Sequence, residues 1–170
     1  MNEHSPSVVF VLFGASGDLA FRKIFPALNR LSREQLLPTS FHLLGVGRTP
    51  MDDASFQERV RTAAGDVQSP HLIAHSHYLA ADPADPADYA RLADRLAAFQ
   101  RVNQPPPCLL FYLALPTSLL TSVVDGLTSA GLTRPSHPAA WRRIVLEKPL
   151  GHDGTSARAL NRRLATVFPE

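Results

Sequence analysis

Apolar runs of strand length recur along the chain at 8–13, 41–46, 77–80, 108–115 and 142–146. The first, VVFVLF, is apolar at every position, as expected of a strand covered on both faces, and the fourth is nearly so. In the gaps, apolar residues return at intervals of three and four, predicting helices over 18–36, 53–64, 86–99, 117–130 and 155–168. Strands alternating with helices form βαβ units. The expected fold class is therefore α/β, a doubly wound, mostly parallel sheet of the Rossmann kind with helices on both faces. Pro26 falls inside the first helix, where it removes one hydrogen bond and predicts a kink near Arg22. The stretch ADPADPAD (81–88) reads as a helix entry, with Asp85 as cap and Pro86 in the first turn. Segments 101–107 and 132–140 read as connections within the same alternation. The whole chain, 1–170, is expected to be one domain.

Composition narrows the classes of partner. With 45% hydrophobic and 19% charged residues the chain falls in the ordinary globular range. A net charge of +2, dispersed along the sequence, gives no basic surface for nucleic acid or a membrane, and neither is expected as a partner. The single cysteine, Cys108, lies in an apolar run and is expected to be a buried, inert thiol. VVFVLF is too short for a signal segment and lacks a basic flank, so the expected location is cytoplasmic.

The first strand runs straight into GASGDLA. In a doubly wound fold this turn aims a helix N-terminus at a phosphate. Gly14 supplies a backbone conformation closed to other residues, Gly17 keeps a side chain away from a pyrophosphate, and Ala20 lets the helix pack closely on the strand. The spacing is Gly14-x-x-Gly17-x-x-Ala20, not G-x-G-x-x-G, and its position after the first strand and before a helix supports the reading. No GxxxxGK[ST] run is present, which disfavours nucleotide hydrolysis. The second strand ends in GVGRTP. A site for NAD usually ends this strand with a carboxylate for the ribose hydroxyl, whereas a 2′-phosphate asks for arginine. Arg48 stands there, so NADP is the expected cofactor.

GASGDLA with RKIFPAL behind it, then GVGR, FYLALP, EKPLGHD and ALNRRL, resemble glucose-6-phosphate dehydrogenase in order and spacing over almost the whole chain. The resemblance implies that Gly14, Ala15, Ser16, Gly17, Asp18 and Leu19 bind the coenzyme pyrophosphate and Arg48 its 2′-phosphate. It implies that Ala114, Leu115 and Pro116 pass near the nicotinamide. Lys148 would reach both coenzyme and the sugar phosphate substrate, glucose 6-phosphate, with Pro149 after it as a hinge that is often cis, and Lys23 would face the reaction centre. The implied reaction is oxidation of glucose 6-phosphate to 6-phosphogluconolactone, in the pentose phosphate pathway. Phe21, Thr117 and Leu150 depart from the family pattern. The chain ends at VFPE, before the family's RIDHYLGKE segment with its proton-accepting residues, so the substrate domain is expected to be absent and the chain inactive alone. It would then need a complementing chain or form a homo-oligomer over an uncovered apolar surface.

Lys23 and Lys148 are the only lysines among 17 basic residues, and both fall at positions where the resemblance implies catalytic work. A compact ammonium and a planar guanidinium are not interchangeable. Among the seven histidines, His152 is closest in sequence to Lys148 and reads as a loop residue. His71, His75 and His77 carry no accompanying carboxylate or thiol pattern, and no metal site is expected. The three tyrosines, Tyr78, Tyr89 and Tyr112, lack a lysine four residues on, which excludes the Tyr-x-x-x-Lys reductases. Two classes stay open: the coenzyme domain of a dehydrogenase, and a non-catalytic NADP-binding module.

Overall fold

The computed structural model describes residues 6–102, 105–148 and 154–168. Among these residues five strands form one parallel sheet: β1 (Val8–Phe13), β2 (Phe41–Gly47), β3 (Ser76–Ala80), β4 (Cys108–Leu113) and β5 (Arg142–Leu146). Their spatial order is β3-β2-β1-β4-β5. The α-helices among the described residues are α1 (Phe25–Arg33), α2 (Asp53–Ala64), α3 (Pro70–Ala74), α4 (Asp88–Val102), α5 (Thr117–Ser129) and α6 (Gly154–Val167). All six residues of β1 are buried because the strand is central. Val8, Phe10 and Leu12 pack with α1, α2 and α3, while Val9, Val11 and Phe13 pack with α4, α5 and α6. The two-sided core makes the fold doubly wound, as the apolar runs predict.

The first helix differs from its expected form. A π turn, Ala20–Ile24, precedes α1, and the Phe25 N–H bonds the Ala20 carbonyl five residues back. Pro26 has no N–H to offer the carbonyl of Arg22. Where a kink is predicted, near Arg22, the structure has a widened turn. The helix ends at Arg33, not at 36, because Gln35 takes a φ of 57° and the Leu36 N–H turns back to the Leu31 carbonyl at 2.9 Å.

Asp85 does not cap α4. Asp82 and Asp85 each accept a hydrogen bond from the backbone N–H two residues on, at 2.9 Å, making two successive turns before the helix starts at Asp88. β4 stops at Leu113, two residues earlier than its apolar run. Helix α3 was not expected, although Ser69 caps it, accepting from the Leu72 N–H, and Pro70 opens it.

Asp53, in the first turn of α2, ties three elements together. Its carboxylate accepts from the Tyr78 N–H at 2.8 Å, from His77 Nδ1 at 3.1 Å and from Arg95 of α4 at 2.5 Å. Burial opposes its ionisation, but these hydrogen bonds and the Arg95 charge hold the carboxyl below its ordinary value. On the α1 side, Tyr112 of β4 lies opposite Val145 of β5, and Val145 is 37% exposed. A crevice of about 360 Å³ separates that flank from α1.

Candidate dinucleotide site

The step from β3 to β4 carries the chain to the other side of β1, so connections diverge between the C-terminal ends of β1 and β4. Open α/β sheets bind ligands at such a point. The glycine turn is locked into it. Gly14 has a φ of 82°, and its N–H and that of Ala15 both bond the Val46 carbonyl, at 2.9 and 3.1 Å. The Gly17 N–H closes on the Gly14 carbonyl at 2.9 Å. A Cβ added to Gly14 would lie 2.3 Å from the Ala114 carbonyl oxygen, so only glycine lets β1 pass beneath the end of β4. The Ala114 N–H in turn bonds the Phe13 carbonyl at 3.1 Å.

On its outer side the turn is open: a Cβ on Gly17 would meet only the Gly14 carbonyl, at 3.1 Å. Gly17, Asp18 and Leu19 are exposed while Ala15 and Ala20 are fully buried, so the turn is anchored from within and offers backbone outward. The helix beginning behind it carries unpaired N–H groups in its first turn, which suit a phosphate. Asp18 pairs with Arg22 at 3.5 Å; both are well exposed and the contact adds little.

Arg48 and Thr49, directly after β2, are exposed. No carboxylate replaces Arg48 at this strand end, and among the described residues its guanidinium pairs with none. Lys23, on the π turn, lines the crevice that also holds Leu19, Tyr112 and Glu147. The Tyr112 hydroxyl donates to the Glu147 carboxylate, and burial followed by that carboxylate pushes the phenol up to about 12. Lys148 is exposed and directly follows Glu147, which lines the crevice together with Lys23. Pro149, Leu150 and His152 lie outside the described residues.

The chain matches the family described as "Glucose-6-phosphate dehydrogenase, NAD binding domain" over residues 11–170. It is 34% identical to glucose-6-phosphate 1-dehydrogenase of Bacillus subtilis, covering 97% of this chain and 34% of that protein. The counterpart from Aggregatibacter actinomycetemcomitans is 36% identical over 94% of this chain and 33% of its own length. Among solved structures, glucose-6-phosphate 1-dehydrogenase from Mycobacterium avium superposes with a TM-score of 0.76 at 33% identity, over 96% of this chain and 34% of the other. A glucose-6-phosphate dehydrogenase in complex with glucose-6-phosphate gives 0.81 at 28% identity, over 99% of this chain and 36% of the other. This chain belongs to the glucose-6-phosphate dehydrogenase family. It corresponds to that family's dinucleotide-binding domain and spans about a third of the length of the relatives it matches.

Within this dehydrogenase-family domain the structure brings Gly14 and Ala114 into contact and places Lys23 and Glu147, one residue before Lys148, on the walls of one crevice. Leu115 is half-buried and Pro116 exposed at the entry to α5. The histidines have other settings: His71 and His75 stack at 4.3 Å on α3 and just after it, and His77 is held by Asp53. Among the described residues no three His, Cys, Asp or Glu side chains are grouped to hold a metal. No helix among them is long and apolar enough to cross a membrane.

The sequence reading missed Arg59. Its Nη2 donates to the Ser16 carbonyl at 2.9 Å. Arg59 stands three residues after the buried Phe56 and one before the buried Val60, a spacing that could have marked it as lying at the edge of the inner stripe of α2. A cavity of about 620 Å³ between α4 and α5, lined by Tyr89, Asp94, Asp125 and small side chains, contains none of these residues.

Proposed function

We propose that this chain is the NADP-binding part of a glucose-6-phosphate dehydrogenase that oxidises glucose 6-phosphate to 6-phosphogluconolactone in a reducing cytoplasm. The observation that carries the reading is the glycine turn locked under Ala114 at the point where the sheet's connections diverge, with Arg48 in place of a carboxylate at the end of β2. Bound NADP would supply the hydride acceptor. The chain's own part is binding and orientation. Amides of the 14–19 turn and the helix behind it would hold the pyrophosphate. Arg48 would pair with the 2′-phosphate as a planar fork, and Ala114, Leu115 and Pro116 would border the nicotinamide.

Lys23 and Lys148 would face the sugar phosphate from the crevice flank, where a point-charge donor suits a phosphate or a developing oxyanion. The base for the sugar hydroxyl proton would come from further residues, in a longer or complementing chain. The half-exposed apolar flank of β4 and β5 supports such a covering element or a second copy of this chain.

Calorimetric titration of the purified chain with NADP and, separately, NAD tests the coenzyme reading. Trp141 precedes β5 at the opposite ends of the strands, so heat is a better signal than its fluorescence. Saturable binding that favours NADP is expected. Equal affinity for both would refute the role of Arg48, and no binding to either would refute a site complete within this chain.

A further inference from the structure

The guanidinium of Arg59 stands where α2 meets the glycine turn. Besides donating to the Ser16 carbonyl, it lies 4.9 Å from the centre of the Phe21 ring. Its Nε is buried without a hydrogen-bond partner, and among the described residues no carboxylate neutralises it. The neighbouring Glu58 is taken by Arg61. A half-buried cation without an anionic partner is costly to hold unless a ligand supplies the charge.

The surroundings say which part of a ligand that would be. The Tyr78 hydroxyl donates to the Thr49 carbonyl at 2.9 Å and is also hydrogen-bonded to the Ser16 side chain. A Cβ on Gly47 would lie 2.8 Å from both Ser16 Oγ and the Tyr78 hydroxyl. Ser16, Tyr78 and the backbone on either side of Arg48 therefore converge at the end of β2. Arg59 is close enough for its charge to favour ionisation of the Tyr78 phenol, against the burial that raises it. The guanidinium of Arg59 and the backbone that carries the exposed Arg48 thus meet the Ser16 corner of the turn from different elements.

We propose that Arg59 is a second specificity-determining residue for the coenzyme's 2′-phosphate, holding Ser16 toward it and adding a cation to that of Arg48. This rests on the NADP reading above. A phosphomonoester near two negative charges at neutral pH is matched by two guanidiniums better than by one. Phe21 keeps the Arg59 side chain in place by its ring face.

The test is calorimetric titration of the purified chain and its Arg59→Met, Arg59→Lys and Arg48→Ala variants with NADP, NAD, adenosine 2′,5′-bisphosphate and ADP. Arg59→Met keeps an apolar stem against Phe21 and removes every donor. It should weaken NADP and the bisphosphate about tenfold while NAD and ADP change less than about threefold. Arg59→Lys should recover part of the loss, because the charge remains. Equal losses for all four ligands would mean that Arg59 only supports the fold of the turn and would overturn the inference, as would unchanged NADP affinity or no recovery with lysine. Should Arg59→Met not fold, Arg59→Lys alone must still lower bisphosphate affinity more than ADP affinity. If the parent chain shows no preference for NADP, the coenzyme reading itself fails. If the parent prefers NADP and Arg48→Ala removes that preference while Arg59→Met does not, this inference falls alone.

Discussion

Replacing Gly14 by alanine should destabilise the chain far more than the same change at Gly131, although both glycines have left-handed φ values, 82° and 70°. At Gly131 a new methyl group meets nothing within 4 Å, so only the backbone preference is lost, about 1–2 kcal/mol. At Gly14 the methyl would fall 2.3 Å from the Ala114 carbonyl oxygen, a distance that real Cβ atoms essentially never reach. The end of β4 must then lift from β1. Overpacking adds about 1–3 kcal/mol. The Ala114 to Phe13 hydrogen bond, 3.1 Å long, lies in the gap that opens, and its loss adds about 1 kcal/mol. The total is about 3–6 kcal/mol, against about 1–2 kcal/mol at Gly131. Urea unfolding followed by far-ultraviolet circular dichroism reads the difference. With a slope of about 2 kcal/mol per molar, the midpoint should fall by about 1.5–3 M for Gly14→Ala and by about 0.5–1 M for Gly131→Ala. Equal shifts would refute the claim that the turn is locked under Ala114.

The same structure supports further tests. Arg48→Ala should weaken NADP binding by about 1.5–3 kcal/mol and leave NAD nearly unchanged in calorimetry. In an enzyme completed with its substrate half, Lys148→Arg should cut turnover sharply in a coenzyme-reduction assay, since the planar fork cannot take the position of an ammonium. His42 gives a pH signature: burial, and then the nearby His75, His77 and His71, push its pKa from 6.5 down to about 4. The fold holds it neutral, so its contribution is complete above pH 6.5 and is lost as pH falls toward 4, while the unfolded chain takes up a proton. With solvent screening, the loss between pH 7.5 and 5 should be about 1 kcal/mol in urea unfolding. His42→Phe should remove that part of the pH dependence while the contribution of Asp53, whose carboxyl is held low, remains. Light scattering at rising concentration should show self-association through the β4–β5 flank, and a freely soluble monomer would count against it.

The fold was legible because a doubly covered parallel sheet leaves apolar runs that do not alternate, as VVFVLF shows, and helices fill the gaps by their period. What failed was local. Gln35 ends α1 by entering the left-handed region, which nothing in LSREQLL announces. The two Asp-Pro steps read equally well as caps and as turns, and the side chains of Asp82 and Asp85 chose turns. Helix α3 could have been read from Ser69-Pro70, but its five residues are too few to show a period. The site divides in the same way. Gly14, Gly17 and Arg48 announce themselves by residue type and by place after a strand. Arg59 and Tyr78 reach Ser16 only because α2 and β3 pack beside the turn, a relation no linear spacing carries.

The bonds of Asp53 have a bearing on where the sheet can grow. β3 is an outer strand, and such a strand offers its free amides to any passing segment. The Asp53 carboxylate occupies the amide of Tyr78 and anchors Arg95 across the same margin. One outward amide of that margin is thereby closed to a further strand. At the far margin β5 pairs only with β4 among the described residues. A chain segment or partner that extends this sheet by backbone pairing is therefore less hindered beside β5, the strand that leads to Lys148.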